Sequence, residues 1–566
     1  MRRVDGRNIL SEIIDPSAGK RLAPGQLIDV EGLIDSYYAS TPDPDNSSQR
    51  ISFGTSGHRG SAFNGSFNES HILAVAQAIC LHRDRRGIDG PLFLGRDTHA
   101  LSDPAFRTAI EVFVANGVTT FIDCRDDFTP TPAISHAILK YNAGRARGSA
   151  DGVILTPSHN PPEDGGIKYN PPHGGPAEPE VTGAIERLAN TLLEADLRDV
   201  RRMPYERARA SELVRAYDYR TAYVADLPRI LDLQAIAGSG VRIGIDPMGG
   251  AAINYWPAIV DHHGLHATVV DQTVDPTFGF MPADWDGKIR MDCSSPYAMA
   301  RLIELKDRFE IAFGNDPDVD RHGIVTRAQG LMNPNHFLAS AVSYLFGSRG
   351  EWPLQCAVGK TMVTSGLLDR LAESLQRPLV ETPVGFRWFV EGLHDGRLAF
   401  AGEESAGASF LREDGSVWTT EKDGIVLGLL AAEMLAVTKR DPSQIYQEVN
   451  RALGPSFYER VDAPATAAQK SLLKLVQPEQ LAVQTLAGDS VVAVETTAPG
   501  TSHALGGVRV RSANGWFAAR PSGTEDLLKL YAESFVSAEH LDQIKSEARA
   551  LVDSLVGELE DQDAGP

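Results

Sequence analysis

Apolar and polar positions along the chain repeat one grammar three times. From Pro91, short runs rich in branched and aromatic residues (PLFLG, VTTFID, GVIL) are separated by stretches with helical spacing, Asp103 to Ala115 behind Ser102 as N-cap and Ala133 to Tyr141. Such alternation predicts a parallel, doubly wound sheet, because parallel neighbours need a crossover long enough to hold a helix. After a charged helical bridge, Pro179 to Arg215, the grammar returns with strands VRIGID, HATVVD and EIAFG and helices over Ala251 to His263 and Pro296 to Arg308. It returns again from about residue 333, with strands LQCAVG, PLVETP and LAFAG closed by a long helix, Asp423 to Lys439. Beyond Pro455 strands and helices segregate: VVAVET, GVRVRS and GWFAARP precede a helix over Ala538 to Glu558. The expected fold is α/β, three related doubly wound domains plus a smaller C-terminal α+β domain. Its expected boundaries are an extension over 1–50 packing on domain 1, then 51–212, 213–328, 329–454 and 455–566.

Composition narrows the partners. The chain has 566 residues, with 54 Lys and Arg against 75 Asp and Glu, a formal charge of −21. That charge opposes non-specific binding to nucleic acid or to an anionic membrane, so a phosphate ligand must meet a local basic pocket. The four cysteines lie far apart with no CxxC pair, which indicates neither a zinc knuckle nor a disulfide framework and fits a reducing cytosol. MRRVDGRNIL has no apolar stretch behind its arginines, so no secretory signal is read there. The longest apolar run, Ile425 to Val437, contains Glu433 and is too short to span a bilayer. A cytoplasmic protein, monomer or homodimer, is expected.

Each round places a chemically loaded segment at a strand end, where open α/β sheets hold ligands. In the first, GVIL runs into TPSHNPPEDGGIKYNPPHGGPA. Its prolines stiffen the turn around Ser158, and Gly165-Gly166 let the chain fold back so that Lys168 can share the serine's pocket. Upstream, FGTSGHRG offers glycine amides, small hydroxyls and Arg59 to an oxyanion. In the second round EIAFG runs into Asn315-Asp316-Pro317-Asp318-Val319-Asp320-Arg321. Three carboxylates at alternate positions without His or Cys specify a hard cation, Mg²⁺ first, with Ca²⁺ or Mn²⁺ admissible. It is not an EF-hand, since the twelfth position counted from Asp316 is Arg327. In the third round LAFAG ends in Glu403 and Ser405, a carboxylate and a hydroxyl able to grip vicinal sugar hydroxyls. Arg387 and Lys360 are further candidates for an anionic substrate group. In the last domain Arg520, Ser522, Gly523 and Thr524 form an anion cradle that lacks the Gly-Lys-Ser/Thr of a nucleotide P-loop.

A serine, a nearby lysine, a metal loop, a polyol grip and a phosphate cradle together describe phosphoryl transfer through a seryl phosphate on a sugar. A cation on Asp316, Asp318 and Asp320 would neutralise charge on the moving group. Lys168 can accept the attacking hydroxyl's proton if burial, Arg59 and Arg321 bring its pKa down toward neutrality. FGTSGHRG, TPSHNPP with Lys168, DPDVDR, GEESAG and RPSGT, in that order across nearly the whole chain, resemble the α-D-phosphohexomutase superfamily. GGIKYNPPHGGPA and ETPVGF are most similar to its bacterial phosphoglucomutase branch.

The resemblance implies four domains around one central cleft, a phosphoserine at Ser158 that also contacts Mg²⁺, and glucose 1-phosphate converted to glucose 6-phosphate. Glucose 1,6-bisphosphate is the implied intermediate and activator, turning end for end between two phosphoryl transfers. Carried over, Glu403 and Ser405 match the sugar ligands, and Arg520, Ser522, Gly523 and Thr524 the distal phosphate site. Arg59, His159, Lys168, Arg321 and Lys360 match polar positions around the transferring group. Two residues depart from the pattern. Val319 stands where a small residue is usual, and its branched Cβ disfavours the positive φ that glycine would permit. Arg387 stands where lysine is common, a planar fork in place of a point donor. The rival readings are a mutase of mannose, glucosamine or a pentose, a phosphohydrolase or bisphosphate synthase, and a non-catalytic sugar-phosphate binder. Intact Ser158, Lys168 and aspartates argue against the last.

Overall fold

The computed structural model describes residues 14–54, 57–481, 483–499, 503–522 and 527–563. Each apolar round builds its own sheet. The first has seven strands, ordered Phe53–Gly54, Gly57–Ser61, Asp164–Asn170, Asp151–Leu155, Leu92–Arg96, Thr120–Asp123 and Val214–Tyr217. The last four of these run parallel. Asp151–Leu155 and Leu92–Arg96 are buried throughout, as strands covered by helices on both faces must be. Five strands make the second sheet and four the third, again with parallel centres.

The sheets are mixed rather than purely parallel, and the antiparallel strands share one position. In every round a parallel strand enters the loaded loop and the chain returns antiparallel beside it: Asp151–Leu155 with Asp164–Asn170, Ile311–Gly314 with Gly323–Thr326, Leu398–Glu403 with Gly407–Phe410. Each loop is thereby closed at both ends by a ladder. Each also contains a non-glycine residue at positive φ, Ser158 at 61°, Val319 at 69° and Ala406 at 68°. Such conformations persist only where surrounding contacts over-determine them.

Several expectations are revised. The strand Val214–Tyr217 completes the first sheet beside Thr120–Asp123, so that sheet runs past the boundary expected at residue 212. Ser102 is the first residue of the helix Ser102–Ala115 rather than its cap, because its hydroxyl donates to the Asp97 carboxylate at 2.5 Å. The extension packs on domain 1 through the helix Val30–Ala39, whose Leu33 and Tyr37 join the first core, but residues before it reach domain 2.

The apolar run of the third round is the helix Gly424–Thr438, buried on nearly every side. Its one acid, Glu433, accepts from Arg349 at 2.7 Å and Tyr344 at 2.8 Å, the pairing a buried carboxylate requires. Among the described residues no helix is long and apolar enough to cross a membrane. The last domain is a six-stranded antiparallel sheet carrying the helices Ala467–Leu475 and Ala538–Asp563. Buried Glu533 fastens it to domain 3, accepting from the Ser365 hydroxyl, the Gly366 amide at 2.7 Å, Ser456 at 2.6 Å and Trp516 at 2.7 Å. Ser456 adjoins Pro455, so the linker itself is tied to this carboxylate.

Candidate active site

Three adjacent strands assemble the serine site. The register pairs Ile154 with Lys168 and Arg59 with Gly166, which sets lysine and arginine on either side of the loop holding Ser158. A Cβ on Gly166 would lie 2.1 Å from the Thr156 carbonyl oxygen, so only glycine lets the returning strand pass so close. What reads in sequence as a Gly-rich fold-back is in fact the strand Asp164–Asn170. The Ser158 amide donates to Thr156 Oγ1 at 2.8 Å, and that hydroxyl donates to Asp97 at 2.6 Å. At the other end, Arg59 donates to Ser158 Oγ at 3.1 Å and Ser158 Oγ donates to Asp318 Oδ2 at 3.2 Å.

The acidic loop meets it from domain 2. Asp316, Asp318 and Asp320 are buried, each with a carboxylate oxygen lying within 4.8 Å of the other two. Asp318 Oδ2 is well supplied, accepting from Lys168 at 2.6 Å, Thr131 at 2.9 Å and Ser158. Asp316 Oδ2, Asp318 Oδ1 and Asp320 Oδ1 are buried and make no hydrogen bond. Unpartnered anionic oxygens in low dielectric cost several kcal/mol each unless a cation meets them. Burial and then the neighbouring charges of Asp318 and Asp320 hold the Asp316 carboxyl well above the carboxylate range. Three hard oxygens so arranged fit a divalent cation. Val319 takes the positive φ that its branched side chain disfavours; its amide donates to Asp316 O at 2.9 Å, and its carbonyl accepts from the Gly424 amide at 2.9 Å. Only glycine fits at 424, because a Cβ there would lie 2.0 Å from the Arg321 carbonyl oxygen.

Charge in the site is tightly interlocked. Lys168 lies 2.6 Å from Asp318 and 3.3 Å from Asp320. Burial alone would lower its pKa, but the two carboxylates outweigh burial and hold it raised. Arg321 lies 3.6 Å from Asp292 and 3.9 Å from Asp320. Burial, reinforced by Arg321, keeps the His159 imidazole neutral. Glu403 accepts from the Gly385 amide at 3.0 Å, and burial raises its carboxyl.

A cleft of about 350 Å³ opens beside this cluster, with Arg59, His159, Arg321, Glu403, Ser405 and Arg520 on its wall, while Ser158, Lys168 and the three aspartates are buried and not on it. Ser522 lines it too, while Gly523 and Thr524 lie outside the described residues. Lys360 is placed elsewhere: its ammonium is buried between Asp369 at 2.6 Å and Glu381 at 3.1 Å, under the contact between domains 3 and 4. Arg387 donates to the Gly54 carbonyl at 3.2 Å, beside the first-domain loop rather than on the cleft wall.

Four family models match the chain in succession, each described as phosphoglucomutase/phosphomannomutase: α/β/α domain I over residues 50–196, domain II over 221–330, domain III over 333–452 and the C-terminal domain over 474–551. A phosphoglucomutase of Komagataeibacter xylinus is 55% identical over 552 residues, 98% of this chain and 100% of that protein. The chain belongs to the phosphoglucomutase/phosphomannomutase family. Phosphoglucomutase 1 of Saccharomyces cerevisiae is 30% identical, covering 70% of this chain and 71% of its own. Among solved structures, a putative phosphomannomutase of Thermus thermophilus superposes with TM-score 0.69 at 26% identity, covering 89% of this chain and 100% of its own.

Two lysines of this family member stand in the cleft without a strong sequence signal. Lys422 reaches Asp320 at 3.1 Å and Glu403 at 3.9 Å, linking the acidic loop of domain 2 to the Glu403 loop of domain 3. The hint was its place: a charged pair, Glu421-Lys422, directly before the Asp423 cap of a buried helix. Lys529 lines the cleft and pairs in register with Arg520 on the neighbouring strand, so both side chains rise from one face. Antiparallel pairing of the strands flanking RPSGT would have found it.

Proposed function

We propose that the chain is a phosphoglucomutase, interconverting α-D-glucose 1-phosphate and glucose 6-phosphate through phosphoserine 158 and glucose 1,6-bisphosphate. The observation that carries this reading is Ser158 Oγ held between Arg59 and Asp318, beside three buried carboxylate oxygens without donors. The near full-length likeness to a phosphoglucomutase supports the choice of sugar. Asp316, Asp318 and Asp320, with an oxygen on Ser158, would hold Mg²⁺, which when bound offsets negative charge on the phosphoryl group.

Arg59 and Lys168 bring two further positive charges to that group. Glu403 and Ser405 grip sugar hydroxyls, while Arg520, Ser522 and Lys529 take the phosphate at the far end. The sugar hydroxyl bonds to phosphorus as the Oγ–P bond breaks, and overall its proton passes to Ser158 Oγ. The bisphosphate turns, its other phosphate returns to Ser158, and the product leaves with no net hydrolysis.

Rates on the 1-phosphates of glucose, mannose, glucosamine and ribose, with glucose 1,6-bisphosphate present, test the assignment. Glucose 1-phosphate is expected to give the highest kcat/KM without release of inorganic phosphate. A higher value for another sugar, or stoichiometric phosphate release, contradicts it.

A further inference from the structure

The largest contribution to the cleft wall by any one segment comes from residues 284–297 of domain 2. They belong to a stretch of about thirty residues between the strand Ala267–Val269 and the helix Ala300–Glu304 that holds no helix or strand of its own. Phe278, Met281, Ile289, Met291 and Cys293 anchor it on domain 2, and a tether reaches it from outside that domain. The segment's position matters, because it touches the catalytic groups twice: the Met291 amide donates to the His159 carbonyl at 3.3 Å, next to Ser158, and Asp292 faces Arg321.

The tether comes from the beginning of the described chain. The Asp15 amide donates to Trp285 O at 2.8 Å, the Gly19 amide to Ala283 O at 2.8 Å, and the Ala283 amide to Lys20 O at 2.9 Å. Arg21 bridges to Pro282, and Leu22 and Leu27 pack into the small core around Phe278 and Met281. Leu27 sits directly over Gly279, where a Cβ would meet it at 2.6 Å. Gly19, at φ 76°, lies against the Tyr297 ring. The other end of the segment is fixed on domain 1, where Leu33 and Tyr37 are fully buried and Tyr37 donates to Thr108 at 3.0 Å. Ile14 reaches the cleft itself.

We infer that residues 14–27 are a strap whose function is to position the 284–297 wall, and that this wall retains glucose 1,6-bisphosphate while it turns. The inference rests on the mutase reading. A sugar bisphosphate that must release both ends to reorient is held only by the shape of its enclosure, so a loosened wall lets it escape before the second transfer. The strap's residues touch none of the reacting atoms; apart from Ile14 they act through Trp285 and Tyr297, which they contact. Escape leaves Ser158 without phosphate, and turnover then depends on bisphosphate supplied from solution.

The test compares the full chain with a variant lacking residues 1–27 and with Leu27→Asp, which cuts the strap's apolar anchor while leaving the chain complete. For each, turnover of glucose 1-phosphate is measured against added glucose 1,6-bisphosphate, and free bisphosphate is assayed during turnover. The expected result is a rise of about tenfold in half-saturating bisphosphate and in bisphosphate released per turnover, below the roughly hundredfold loss that a 1 Å misplacement can cause. KM for glucose 1-phosphate should move much less. Unchanged bisphosphate dependence in Leu27→Asp overturns the inference, and so does an activity loss that only tracks the fraction unfolded by circular dichroism. Failure of the mutase reading is distinguishable, because the full chain would then either fail to turn over glucose 1-phosphate or release inorganic phosphate from it.

Discussion

Ser158 Oγ lies 3.2 Å from Asp318 Oδ2, although the two residues stand 160 positions apart and belong to different sheets. Asp318 Oδ2 also accepts from Lys168 and Thr131, so one carboxylate of domain 2 is held by three donors of domain 1. Ser158 and the acidic loop are thus one unit, built across a domain boundary.

That coupling makes the cation the first handle. Chelation is expected to abolish turnover and Mg²⁺ to restore it, and Mg²⁺ at a hundred times its Kd should stabilise the fold by about 2.7 kcal/mol. Asp316→Asn, which does not touch Ser158 in this structure, should lower activity at fixed Mg²⁺ on the order of a hundredfold. Full activity in chelator, or a melting temperature indifferent to Mg²⁺, would remove the cation from the account.

Val319 offers a test of backbone strain. The left-handed conformation costs an L-residue roughly 1–2 kcal/mol, yet the side chain is fully buried among apolar neighbours. Both Val319→Ala and Val319→Gly lose that burial, but only glycine also relieves the strain. Glycine is therefore expected to be no worse than alanine by chemical denaturation. At a buried right-handed position glycine would be worse by about 1 kcal/mol, and that outcome would show the strain to be absent.

Two stacked histidines of domain 1 set a limit at acid pH. Burial lowers His58 to about 3, with His71 adding to the effect, and burial lowers His71 to about 4. The rings lie 5.3 Å apart. The unfolded chain takes up these protons near pH 6.5 and the folded chain does not, so their contribution is fully present above that pH and is lost as pH falls toward 4. Each histidine adds up to about 1.4 kcal/mol of lost stability per pH unit in that window. His58→Phe should flatten the stability profile between pH 6 and 4 by close to one proton. An unchanged slope would mean that His58 titrates normally in the fold.

Much of this architecture is legible in the sequence because each loaded loop sits where a parallel strand ends, and strand ends are visible in the alternation of apolar runs. The segment 164–170 escapes because Gly165 and Gly166 lack side chains to signal a strand; its pairing is enforced by the close approach that glycine allows. Lys360 shows the opposite failure. A lysine closing an apolar strand reveals nothing of which face it takes, and here the face turns to Asp369 and Glu381. Val319 reads as a misfit in a loop wanting small residues, and only the fold reveals the hydrogen bonds to Asp316 and Gly424 that hold it. Lys422 and the strap depend on contacts between segments far apart in the chain, which no local pattern encodes.

Ser158 is held to carry a phosphate between turnovers, giving it to the sugar in the first transfer and regaining one in the second. Mass measurement of the protein after incubation with glucose 1,6-bisphosphate, followed by peptide mapping, tests it most directly. One added phosphoryl group, roughly 80 Da, is expected on the peptide containing Ser158, and it should vanish in Ser158→Ala together with turnover while the fold remains intact. An unmodified Ser158 peptide in protein that still turns over, or near-normal rates in Ser158→Ala, would contradict the account.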